Sequence, residues 1–96
     1  MNIDFSKSNG DSIVILEGRL DTNTAPKLES FIEQNYDGTG TLIINCEKLA
    51  YVSSAGLRVL LAAQKKTKGS MKLTNVCDMV MEVFEMTGFA DILVIE

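Results

Sequence analysis

The chain reads as a single α/β domain: a mixed, mostly parallel sheet packed by helices, in the order β-β-α-β-α-β-α-β. Three observations carry this. Short β-branched apolar runs alternate with stretches of helical period, which implies parallel strands joined by right-handed crossovers. The first two strands are separated only by the turn signal Ser8-Asn9-Gly10-Asp11, which implies an antiparallel hairpin at one edge. Finally, 96 residues with 46% apolar content suit one compact core spanning 1–96, and no linker, repeat or low-complexity segment divides it.

The elements follow in order. Ile3 and Phe5 alternate with polar residues as a first strand, and Ile13-Val14-Ile15-Leu16 form the second. Gly18-Arg19-Leu20-Asp21 leaves that strand. A helix then begins at Thr22-Asn23-Thr24-Ala25-Pro26, with Thr24 as its expected cap and Pro26 tolerated in the first turn. Leu28, Phe31, Ile32 and Tyr36 share its inward face, and Asp37-Gly38-Thr39-Gly40 ends it. Leu42-Ile43-Ile44, apolar at consecutive positions, predicts a central strand buried on both faces. A short connection leads to a helix from about Ser54 to Lys68, stopped by Gly69, with Leu57, Leu60 and Leu61 inward and Ala55, Ala62 and Ala63 for close packing. Met71 and Leu73 alternate in a further strand. Asp78 to Thr87 is a third helix closed by Gly88, with Val80, Val83, Phe84 and Thr87 on one face, and Ile92-Leu93-Val94-Ile95 is a last buried strand.

Bulk properties exclude several functions. A net charge of -4 argues against nucleic-acid binding. Lys65, Lys66 and Lys68 cluster where they complement a helix C-terminus. No apolar run is long enough for membrane insertion and the N-terminus lacks the pattern of a signal peptide, so a cytoplasmic protein is expected. Cys46 and Cys77 have neither metal nor redox spacing, and Cys46, beside an apolar run, reads as a buried thiol. With no histidine, nucleophilic triads and His-containing metal sites are ruled out. No phosphate loop or dinucleotide fingerprint is present either, so no cofactor, no metal and no catalytic residue is assigned.

What remains is the pair Ser53-Ser54 at the start of the second helix. The first turn of a helix offers unpaired N–H groups and the positive end of the macrodipole, so a serine there can cap the helix and a phosphate there is stabilised. A phosphoacceptor needs only exposure, because a kinase supplies base and metal. The residues alone leave capping and phosphate acceptance both open.

Tyr51-Val52-Ser53-Ser54-Ala55-Gly56-Leu57-Arg58-Val59-Leu60 resembles the signature of STAS domains, above all of bacterial anti-sigma factor antagonists. Gly18-Arg19-Leu20-Asp21 with Thr24-Ala25-Pro26, and Phe84-Glu85-Met86-Thr87-Gly88-Phe89 with Asp91-Ile92, resemble the family's earlier and closing blocks, so the likeness spans nearly the whole chain. The resemblance implies a non-enzymatic switch. The unphosphorylated antagonist binds an anti-sigma factor that is itself a serine kinase and releases the sigma factor. Phosphorylation ends binding, and a PP2C-type phosphatase reverses it. By motif position the acceptor is Ser54, with Ser53 as the alternative, and Asp21, Ser53, Ser54, Ala55, Gly56, Leu57 and Arg58 form the partner face.

This chain departs from the family pattern at two places. Ser53 stands where Asp is frequent, and Ala55 where a second Ser or Thr is frequent. Relatives often continue into a further C-terminal helix, so one face is expected to be more exposed here. Gly56 is open to two roles, partner approach or packing of helix on sheet. Arg58 is expected to be exposed and Leu57 to be core. Two other readings stand beside the switch: an unswitched STAS subunit of another assembly such as a phospholipid transporter, and a small-molecule or nucleotide sensor with ligand at the helix start near Ser54.

Overall fold

The computed structural model describes residues 1–96, in the order β1 (Asn2–Ser8), β2 (Asp11–Leu20), α1 (Ala25–Asn35), β3 (Leu42–Val52), α2 (Ser54–Lys66), β4 (Met71–Thr74) and α3 (Asp78–Thr87), followed by a single 3-10 turn at Phe89–Asp91. The sheet order is β1-β2-β3-β4. β1 pairs antiparallel with β2, and β2, β3 and β4 are parallel. The expected hairpin is present. Ser8 pairs with Asp11, and Asn9 and Gly10 both take positive φ (54° and 86°), as a two-residue type I′ turn requires.

One face of the sheet carries Val14, Leu16, Leu42, Ile44, Met71 and Leu73, all buried under the helices. α1 contributes Ala25, Leu28 and Ile32 to this core, and α3 contributes Val80 and Phe84. The opposite face has no helix. Ile13, Ile15, Ile43, Asn45, Lys72 and Thr74 are only half-buried there, which corrects the expectation that Leu42-Ile43-Ile44 is buried on both sides. Three consecutive apolar residues do not distinguish a two-sided strand from a one-sided strand whose outer residues shelter each other.

Three further expectations are corrected. β3 does not stop after Ile44 and lead through a connection; it runs unbroken to Val52. Its buried residues beyond Cys46 are Leu49 and Val52, spaced by three, because two register shifts break the alternation of period two. In α2, Leu57, Val59, Leu60 and Ala63 are buried, Leu61 is only half-buried, and the helix ends at Lys66 with Gly69 N–H reaching Gln64 O (2.9 Å). The last segment is not a buried strand. It makes one isolated bridge, Leu73 to Ile95, with only Leu93 buried and Ile92 and Val94 about half-exposed. The tight turn that precedes it, with Leu93 N–H bonded to Phe89 O (2.8 Å), leaves too few extended residues to build a ladder at the sheet edge.

The two thiols differ sharply. Cys46 is fully buried, and burial pushes its thiol up to about 12, with nearby Cys77 adding a smaller push. Cys77 is exposed. In the native state at pH 8, one thiol should therefore react quickly with an aromatic disulfide reagent, and the second only as fast as the domain opens. Rapid reaction of both, or loss of the fast thiol in a form retaining Cys77, would contradict this. A thiol raised on folding also has a linkage sign. Its stabilisation is intact below the unfolded thiol's ordinary value and declines as pH rises through the window up to about 12.

Candidate functional site

The site forms where the parallel strands β2 and β3 end side by side. Their last pairs are Arg19 with Tyr51 and Leu20 with Val52. Beyond them, Ser53 N–H donates to Leu20 O (2.8 Å), so the start of α2 is bound directly to the end of β2.

Ser53 is the N-cap of α2. Its backbone is extended (φ -97°, ψ 175°), and its Oγ accepts from Gly56 N–H (3.3 Å) while its carbonyl accepts from Leu57 N–H (2.9 Å). Ser54 occupies the first helical position, exposed, with no hydrogen bond from its hydroxyl to the rest of the chain. Of the two adjacent serines, one satisfies the helix end and the other carries an unpartnered hydroxyl. Ser53→Ala should lower stability by about 1 kcal/mol in a denaturant titration, whereas Ser54→Ala should stay within about 0.5 kcal/mol of the parent. Equal effects would mean that the capping role is shared.

Gly56 packs closely against the ends of the strands. A Cβ there would lie 2.7 Å from Leu20 Cγ, 2.9 Å from Leu20 O and 3.0 Å from Val52 Cγ2. It is buried against the protein's own strand ends. Leu57 is core, as expected; Ala55 is half-buried; Arg58 is exposed one turn after Ser54, on the same side of the helix, and in no ion pair.

Asp21 follows β2 directly. Its Oδ1 accepts from Asn23 N–H (3.0 Å) and Thr24 N–H (3.1 Å), an Asx turn that leads into α1. Thr24 sits at the capping position but its side chain does not cap. Its hydroxyl donates to Arg19 O (2.7 Å) and accepts from Asp21 N–H (2.8 Å). The expected Thr24 side-chain cap is therefore not made: α1 has no side-chain cap, and the Asp21 carboxylate fixes the turn that precedes the helix. The Thr24 N–H bond, with smaller help from Asn23, the Thr24 hydroxyl and Arg19, holds the Asp21 carboxyl below the usual carboxylate range. Arg19 Nε lies 4.0 Å from Asp21 Oδ2, and its guanidinium covers the Tyr51 ring at 4.1 Å.

The strand ends thus bring the Asp21 loop beside the start of α2, although no hydrogen bond joins Asp21 to Ser54. Arg19 and Tyr51 were not singled out from sequence as site residues. Only the β2–β3 register reveals that they meet, and the one available signal was that both lie in the blocks flanking Asp21 and Ser53.

No histidine, cysteine or carboxylate is hydrogen-bonded to either serine, and no three metal-ligating side chains cluster. A surface groove lies between α1 and α2, against Ile32, Val59 and Ala62, and takes in no residue of the Asp21 loop or of Ser53–Arg58. No helix is long and apolar enough to cross a membrane.

A family model, the STAS domain, matches residues 2–96. BtrV of Bordetella bronchiseptica, named as a candidate anti-sigma factor antagonist, is 33% identical over 96% of this chain and 83% of its own length. The anti-sigma-B factor antagonist of Bacillus subtilis is 30% identical over 97% of this chain and 88% of its own. Among solved structures, the anti-sigma factor antagonist SpoIIAA in its unphosphorylated form superposes with a TM-score of 0.80 at 19% identity, covering 99% of this chain and 88% of that one; this is a likeness of fold. SpoIIAA of Bacillus is also known in a phosphorylated form (TM-score 0.72, 19% identity, 99% and 91% coverage).

Proposed function

This chain belongs to the STAS domain family, and from that premise we propose that it is an anti-sigma factor antagonist controlled by phosphorylation of Ser54. In its unmodified form it binds an anti-sigma factor that is a serine kinase, so that the sigma factor is released. Phosphate on Ser54 ends that complex, and a PP2C-type phosphatase restores it. The chain acts by binding, not as an enzyme, and it works in the cytoplasm, where transcription is regulated.

The observation that carries this reading is the free, exposed hydroxyl of Ser54 at the first position of a helix whose cap is supplied by Ser53. A phosphate added there brings about -1.5 to -2 charges and three acceptor oxygens next to unpaired helical N–H groups. The domain accommodates it without giving up a hydrogen bond. A partner surface shaped around a neutral hydroxyl does not, because desolvating a dianion against it costs several kcal/mol. The relatives' names and the existence of a phosphorylated SpoIIAA support the reading. On this proposal Ser53, Ser54, Ala55, Arg58 and Asp21 face the kinase, while Leu57 and Gly56 act from beneath by holding α2 on the sheet.

The test is intact mass with peptide mapping on protein recovered from its own cells during growth and stress. A phosphate on Ser54 with changing occupancy is expected. A phosphate confined to Ser53 would reassign the acceptor. None under any condition would favour an unswitched STAS subunit instead.

A further inference from the structure

We propose that the outer face of α3 is a second docking surface, fitted to a basic amphipathic helix of a protein partner. Met79 and Met86 are 71% and 79% exposed, although methionine is among the residue types most often buried. Val83 lies between them, half-buried and packed in part against the core. Spacings of four and three place these residues along one side of the helix, the pattern of a coiled-coil seam. The fold does not need them there, since Val80 and Phe84 already anchor α3 in the core.

Charge selects the occupant. Asp78, Glu82 and Glu85 run beside the stripe, all exposed and none in an ion pair. Every lysine and arginine lies at or before Lys72, so the segment 73–96 holds five carboxylates and no cation. The surface is an adaptable apolar stripe about 10 Å long with a negative margin. Its complement is a helix with aliphatic residues at three-four spacing and Lys or Arg beside them. A second copy docking two-fold on the same stripe would set the two acidic margins against each other, and an anionic membrane or nucleic acid would be repelled. No residue of this surface belongs to the Ser54 site, so the two proposals stand or fall separately.

The probe is a synthetic amidated peptide of roughly 16 residues with leucines at three-four spacing flanked by lysines, titrated into the full chain carrying 13C-methyl methionine. The Met79 and Met86 methyl signals are expected to shift, while that of buried Met71 stays in place. Met79→Gln with Met86→Gln should weaken the peptide at least about tenfold with the melting temperature held, and Glu82→Lys with Glu85→Lys should do the same. Ser54→Asp should leave peptide binding unchanged. The proposal is overturned if those methyls do not respond at millimolar peptide, if the variants keep full affinity, or if a peptide of scrambled leucine spacing binds as well. It is equally overturned if the chain self-associates through these methyls without peptide.

Discussion

On the proposed switch, Ser54→Asp should fold like the parent and bind the kinase about 100-fold or more weakly, close to 3 kcal/mol of binding free energy. The two halves of this expectation have separate causes. A carboxylate in the first turn of α2 meets the positive end of the helix dipole and adds about 0.3–1 kcal/mol of stability, so the melting temperature should hold or rise slightly. Ser53 keeps its bond to Gly56 N–H throughout, so the cap is unaffected. At the proposed partner surface, shaped around a neutral hydroxyl, the same charge would be desolvated without a matching donor, and affinity would be lost there. Ser54→Ala separates the two effects: it should bind like the parent and resist the kinase. Retained binding by the Asp variant, measured by calorimetry against the serine kinase, would count against the switch even if Ser54 is found phosphorylated.

Gly56→Ala should lower stability by about 1–3 kcal/mol, and Gly56→Val by more. The opposing effect is real, since alanine is favoured over glycine in helices by about 1 kcal/mol. It is outweighed because the added Cβ meets Leu20 O at 2.9 Å, and that carbonyl is held by Ser53 N–H at 2.8 Å. Leu20 Cγ can shift; the carbonyl cannot do so without lifting α2 off the end of β2. For a domain of this size each kcal/mol moves the melting temperature by about 4–8 °C, well within reach of a thermal scan. An unchanged melting temperature combined with lost partner binding would return Gly56 to the role of a partner contact.

Local signals made most of the architecture legible. Asn9-Gly10 marked the hairpin, Pro26 and Gly88 bounded helices, and the apolar periods of α1 and α3 identified Leu28, Ile32, Val80 and Phe84 as core. The features that escaped are those fixed between elements. The full length of β3 was hidden because Cys46, Leu49 and Val52 do not alternate. The fate of Ile92 to Ile95 depended on a tight turn and a sheet edge, which composition does not reveal. At the site, the Ser53-Ser54 dipeptide indicates a helix start, yet only the folded backbone distinguishes the cap from the free hydroxyl. Thr24 looks like a cap by residue type, but its hydroxyl is taken up by Arg19 O and Asp21 N–H. The Arg19–Tyr51 stack is a product of register and has no one-dimensional signature.

The irregular pairing of β2 with β3 limits which changes of chain length this protein can accept. Ile15 pairs with Asn45 but Glu17 with Lys48, and Gly18 with Leu49 but Arg19 with Tyr51, so β3 carries one extra residue at each of two places. The first extra residue reverses which side chains face the core, and the second reverses them back in time for Val52. Deleting a single residue between Asn45 and Tyr51 would turn Val52 toward solvent and Tyr51 inward, and would misdirect the start of α2. Deleting one at each place would restore the parity. Among descendants of this sequence, losses in that stretch should come in pairs or not at all.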